Sequence, residues 1–144
     1  MNIFLSLLYK YLVLVCILLL VVPSTSFPQD SLNTKNLYSH LSGTEKIDSL
    51  NNYTTKLTGA NANLKYNLGK EIFSLSEEED YTVGKISALN NIGMGLVYKN
   101  EQDSAIVHFK KAFEMATIVD NKNLLFKLSR NIADCFAFKG NFDS

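Results

Sequence analysis

The side chains of this chain that could carry out chemistry are few and far apart. The two histidines, His40 and His108, have no Cys, Asp or Glu nearby at the spacing of a metal site. Cys135 has no neighbouring histidine and falls on the apolar side of a predicted helix, which favours a buried thiol. The sequence therefore predicts no catalytic residue, no metal site and no cofactor. A metal- or thiol-dependent enzyme would require that changing His108 or Cys135 abolishes an activity.

Neither the short motifs nor the charge pattern indicates a bound ion, nucleotide or nucleic acid. The acidic run 77–80 is read as a solvated helix end, because carboxylates there oppose the helix dipole. Gly93-Met94-Gly95 lies within a predicted helix and does not follow a strand, as a phosphate-binding loop would. The 14 basic and 14 acidic side chains are interspersed, which argues against nucleic acid and anionic membranes as partners.

The amino-terminal segment is typical of a secretory signal peptide. Residues 11–22 form an uncharged apolar run, Lys10 supplies the positive flank, and small residues follow Pro23. We therefore expect residues 1–26 to be a cleaved signal peptide and the protein to be periplasmic or secreted. The alternative is an uncleaved anchor, although the apolar stretch reaches the length of about 20 residues only with Lys10 inside it. Membrane contact is expected only through this segment or through one beyond residue 144.

The remainder of the chain predicts an all-α fold. Residues 27–44 form a polar lead with room for one short helix. From Glu45 onward, apolar residues recur at steps of three and four, which is the helical period. The predicted helices cover residues 45–57, 62–78, 80–99, a stretch from 103 through at least 116, and 120–139. Their predicted N-caps include Asp80, Asp103 and Asp120.

A period of 40 residues relates two parts of the chain. Residues 91–99 align with residues 131–139 when the sequence is shifted by this period. A fixed period of this size is typical of stacked helical units, each of which covers the apolar face of the next. Gly93, Ala105 and Ala112 are small residues at the places where two helices of one unit would cross closely.

This spacing resembles the tetratricopeptide repeat (TPR) family. The family pattern is aromatic-x-x-Leu-Gly-x-x-Tyr in the first helix and Ala-x-x-x-Phe-x-x-Ala in the second. The corresponding positions here are Leu89, Ile92, Gly93, Leu96, Ala105, Phe109 and Ala112. The aromatic positions are aliphatic in this chain, and the period is 40 where about 34 is usual. The resemblance implies a solenoid of antiparallel helix pairs, similar to the exported TPR regions of bacterial sensor proteins.

The resemblance covers residues 45–144 as about two and a half repeats. The units are a degenerate first repeat over 45–80, the best-kept repeat over 81–120 and a third repeat over 121–144. The second helix of the third repeat would begin where the sequence ends. We therefore expect this chain to be a fragment of a longer protein, with an apolar face of the last helix left open at Ile132, Phe136 and Phe138.

In TPR solenoids, the first helices of successive pairs line a concave groove that receives a protein or peptide partner. The resemblance thus implies a non-enzymatic binding scaffold. The groove positions carried over are Ser87, Asn90, Met94, Val97 and Tyr98 in the middle unit and Lys127, Arg130, Asp134, Ala137 and Phe138 in the third. The partner contacts predicted among them are Asn90, Met94, Tyr98, Lys127, Arg130 and Asp134. A carboxylate clamp is not expected, because Arg130 is one position away from the family's place. The alternative function is the sensory region of a membrane-bound signalling enzyme, such as a histidine kinase, whose catalytic part lies beyond this sequence.

Overall fold

The computed structural model describes residue 36 and residues 38–140, and every regular element in that part is helical. The elements are α1 (Gly43–Lys56), a 3₁₀ turn (Gly59–Asn61), α2 (Ala62–Glu78), α3 (Thr82–Tyr98), α4 (Gln102–Ile118) and α5 (Lys122–Gly140). This confirms the all-α prediction. The predicted signal peptide over 1–26 and most of the polar lead over 27–44 lie outside the described residues.

The five helices pack as a row of three with two bridging helices. α3 contacts both α1 and α5, while α2 packs against α1 and α3, and α4 packs against α3 and α5. The apolar residues that recur at helical spacing are buried at these contacts. Ile47 and Ile72 belong to one buried cluster, and Phe109 and Leu128 belong to another. α3 is therefore the central helix of the fold. Within the described range, no helix combines the length and apolar character needed to cross a bilayer.

Close helix crossings at α3 depend on glycine. A Cβ atom on Gly93 would lie 2.7 and 2.8 Å from two ring atoms of Phe109 on α4. A Cβ atom on Gly95 would lie 2.9 Å from the backbone nitrogen of Tyr66 on α2. These distances are much shorter than the usual separation of about 3.5–4.0 Å between non-bonded carbon atoms in contact. Glycine at these two positions therefore lets α3 approach α2 and α4 at the same time.

Three successive helices end in the same turn. α2, α3 and α4 are followed by a residue in the left-handed conformation at intervals of 20 residues, namely Asp80 (φ 46°), Asn100 (φ 60°) and Asp120 (φ 48°). The N–H of the next residue donates to the carbonyl oxygen five residues earlier, at 2.8–3.1 Å, which is the Schellman arrangement. Asp and Asn adopt this conformation more readily than other non-glycine residues.

The predicted N-caps at Asp80, Asp103 and Asp120 are therefore wrong. Asp80 and Asp120 close the preceding helix, so that α3 and α5 each begin two residues later. Asp103 lies inside the first turn of α4. The N-cap of α5 is Asn121, whose Oδ1 accepts a hydrogen bond of 3.1 Å from the N–H of Leu124.

Candidate partner-binding groove

A groove of about 540 Å³ runs between α3 and α5, and we call it the α3/α5 groove. Its volume lies within the range of about 300–1,000 Å³ found for ligand pockets. The lining residues are Met94, Val97, Tyr98, Asn100, Gln102, Arg130, Asn131, Asp134, Cys135 and Phe138. Five of these residues are apolar or aromatic and five are polar, among them one cation and one anion.

Four of the six partner contacts predicted from the sequence lie together in this groove. Met94 and Tyr98 line it from α3, and Arg130 and Asp134 line it from α5. The two charged side chains and the Tyr98 ring are solvent-exposed, with Tyr98 at 38%. These four residues are therefore within reach of a ligand that enters between the two helices.

Asn90 occupies a different position, inside the contact between α3 and α5. Its side chain is buried, and its Oδ1 accepts a hydrogen bond of 2.7 Å from Nδ2 of Asn131. A matching bond of 3.0 Å runs from Nδ2 of Asn91 on α3 to Oδ1 of Asn51 on α1. Asn90 therefore positions the wall of the groove. Buried amide pairs thus join the row of α1, α3 and α5 at both of its contacts.

Lys127 also lies off the groove lining, beside a second lysine. It is half-buried, and burial followed by the charge of Arg130 lowers its pKa. Its own charge acts on Lys65 of α2, whose pKa falls to about 8 because of burial and then Lys127. The positive charges of α5 therefore extend from the groove rim toward the end of α1.

Lys65 anchors the end of α1 and one side of the groove. Its Nζ is buried and donates to the carbonyl oxygens of Thr54 at 2.7 Å and Leu57 at 3.2 Å, near the carboxyl end of α1. Carbonyl oxygens at the end of a helix lack the usual N–H donor four residues on, and that of Thr54 accepts in addition from the N–H of Leu57 at 3.2 Å. The same Nζ lies 6.0 Å from the centre of the Tyr98 ring, which also packs over Gly59. Tyr98 is thereby held at the groove wall by the α1–α2 connection.

The thiol of Cys135 and the imidazole of His108 lie on different helices, α5 and α4. Cys135 is buried at the groove floor, and burial followed by the charge of Asp134 raises the pKa of its thiol, which makes it a poor nucleophile. His108 Nδ1 lies 2.8 Å from the carbonyl oxygen of Ser104, one turn earlier on α4. No cluster of three or more potential metal ligands occurs within residues 36 and 38–140.

Sequence reasoning missed Lys65 and four residues that line the groove, namely Asn100, Gln102, Asn131 and Cys135. The signal for Asn131 was present, because Asn51, Asn91 and Asn131 follow one another at intervals of 40 residues. Lys65 gave no such signal, since a lysine is normally expected to be solvated.

Comparison of this chain with family models, with curated proteins and with solved structures finds no match. Its relation to TPR proteins is therefore a resemblance of pattern, carried by the residues named above. The geometry of the α3/α5 groove is the remaining guide to function.

Proposed function

We propose that this chain is a non-enzymatic binding module with a TPR-like solenoid architecture, and that it binds a peptide or an extended protein segment in the α3/α5 groove. The observation that carries the proposal is the convergence of Met94, Tyr98, Arg130 and Asp134 in one groove. All four occupy groove positions of the repeat pattern in the sequence.

The geometry of the best-kept unit supports the TPR-like part of the proposal. Gly93 faces the ring of Phe109, as the family pattern requires of these two places. Ala105 and Ala112 are fully buried around that ring. The 20-residue recurrence of the turn after α2, α3 and α4 supports a regular alternation of helices within a 40-residue unit.

The chemistry of the groove supports binding of a peptide. Exposed aromatic groups at Tyr98 and Phe138 offer large contact areas with little conformational entropy to lose. Arg130 and Asp134 add charges that can fix the register of a polar backbone segment. Export of the module remains part of the proposal and rests on the sequence of residues 1–26.

A matched pair of substitutions on α5 tests the proposal. Peptides are selected on the immobilised full chain by phage display, and their affinity is measured by fluorescence anisotropy. Phe138 lines the groove at 53% exposure, whereas Phe126 is 73% exposed and does not line it. We expect Phe138→Ala to weaken binding by about tenfold, and Phe126→Ala to leave it unchanged.

Both substitutions remove an exposed ring from the same helix, so general effects on α5 should be equal. Equal affinity of the two variants for every selected peptide would contradict binding in the α3/α5 groove. A selection that yields no binding peptide would count against a peptide-binding module.

A further inference from the structure

Three side chains form a straight row along the groove side of α5. Arg130, Asp134 and Phe138 are spaced by four residues, so they lie on one helix face at steps of about 6 Å. All three are exposed, and all three line the α3/α5 groove. The row therefore presents a cation, an anion and an aromatic ring in a fixed order.

The two charges of the row do not satisfy one another. Within the described part of the chain, neither the Arg130 nor the Asp134 side chain makes a hydrogen bond or an ion pair. Their order explains this, because a basic residue placed four positions before an acidic one is the weaker orientation on a helix. Both groups are consequently available to a ligand.

The opposite wall of the groove carries no formal charge, and the polar side chains of Asn100 and Gln102 line it beyond the end of α3. Met94, Val97 and Tyr98 line it from α3, and these residues carry no formal charge at neutral pH. A ligand between the walls must therefore pair its charges with α5 and place its apolar groups against α3 and Phe138. An extended peptide presents every second side chain to one face at steps of about 6.6 Å, close to the spacing of the row.

We propose that the α3/α5 groove binds an extended peptide segment in which an acidic, a basic and a bulky apolar side chain alternate with other residues. The acidic group pairs with Arg130, the basic group with Asp134, and the apolar group packs on Phe138. This inference rests on the proposed function, and it adds one requirement. The basic residue must stand in the middle, whichever way the peptide runs.

Four labelled peptides test this requirement against the full chain. The probes have acetylated and amidated ends and the cores Glu-Gly-Lys-Gly-Leu, Leu-Gly-Lys-Gly-Glu, Lys-Gly-Glu-Gly-Leu and Gln-Gly-Gln-Gly-Leu. We expect one of the first two to bind about fivefold more tightly than the third and fourth, since an exposed ion pair contributes up to about 1 kcal/mol. The difference should shrink at high salt.

A reversal of charge on the protein gives the sharper result. Arg130→Glu leaves two acidic groups in the row. This variant should therefore bind a Lys-Gly-Lys-Gly-Leu core about fivefold more tightly than the core that the wild type binds best. Lys122→Glu reverses a charge on the first turn of the same helix, away from the groove, and should keep the wild-type preference. Retained binding of a cognate peptide shows that the variant is folded.

Three outcomes overturn the inference: equal affinity for all cores, strongest binding of a core with the acidic residue in the middle, or the same preference in Arg130→Glu and Lys122→Glu. If displayed peptides still bind in a way that depends on Phe138, the binding module stands and only the charge order falls. If Phe138→Ala and Phe126→Ala also bind every selected peptide with equal affinity, both the charge order and the proposed function are wrong.

Discussion

The substitution Gly93→Ala tests the packing on which the whole α3–α4 unit depends. An added Cβ would lie 2.7 and 2.8 Å from two ring atoms of Phe109, whereas carbon atoms in contact are about 3.5–4.0 Å apart. The ring would have to move by about 1 Å. It is completely buried among neighbouring side chains, so that little space can absorb the movement.

The expected loss of stability follows from two opposed terms. Overpacking a buried site costs about 1–3 kcal/mol, and replacing glycine by alanine inside a helix returns about 1 kcal/mol. Because the ring has no exposed side toward which it could move, we place the cost at the upper end. The net decrease in the free energy of unfolding is then about 2 kcal/mol.

Urea unfolding followed by circular dichroism measures this decrease. With a slope of about 2 kcal/mol per molar urea, the midpoint should fall by about 1 M. The matched control is Gly140→Ala at the end of α5, where an added Cβ would meet no atom within 4 Å in the described part of the chain. That variant should be as stable as the wild type or slightly more stable.

A double-mutant cycle separates the steric effect from helix propensity. Phe109→Leu removes part of the ring that Gly93→Ala would press against. The loss of unfolding free energy caused by Phe109→Leu should therefore be at least about 1 kcal/mol smaller in the Gly93→Ala background than in the wild type. Additive effects of the two substitutions, or a Gly93→Ala variant as stable as the wild type, would refute this explanation of the close crossing.

Further measurements test the buried polar groups and the walls of the groove. Burial lowers the pKa of Lys65 to about 8 from 10.5. Between these two pH values the lysine is protonated in the unfolded chain but largely deprotonated in the folded one. The free energy of unfolding should therefore rise as pH increases through this window. The variant Lys65→Met should show less of this rise in urea titrations at pH 7.5 and 9.5. Asn131→Ala leaves the buried Oδ1 of Asn90 without its donor, which should cost about 1–3 kcal/mol of stability, whereas Asn123→Ala on an exposed part of α5 should cost little. Hydrogen exchange should be faster in α5 than in α3, and faster exchange in α3 would contradict the central place given to that helix.

The helices of this chain could be predicted because their apolar spacing is regular. The bounds of α2 agree with the prediction at both ends, and Gly93 lies at a close crossing of α3 and α4, as the pattern of small residues predicted. Both features depend on local periodicity and on side-chain size. Both properties can be read directly from the linear sequence.

The turns and the buried amides could not be predicted in the same way. Asp is equally suited to an N-cap and to a left-handed position after a helix, so Asp80 and Asp120 were assigned to the wrong helix. Asn90 was taken for a groove contact because it occupies a groove position of the TPR pattern. Its burial depends on the amide of Asn131, which only the packing of α5 on α3 brings near it.

The two walls of the groove differ in how firmly they are held, and this difference bears on binding. α3 buries ten residues, whereas α5 buries only Leu128, Asn131 and Cys135. The charged row of the proposed recognition lies on α5, the less firmly packed wall. Binding of a peptide must then also order α5, and the cost of this ordering reduces the net binding free energy. We therefore expect Asn90→Ala to weaken peptide binding although Asn90 does not line the groove, because Asn90 anchors the helix that does.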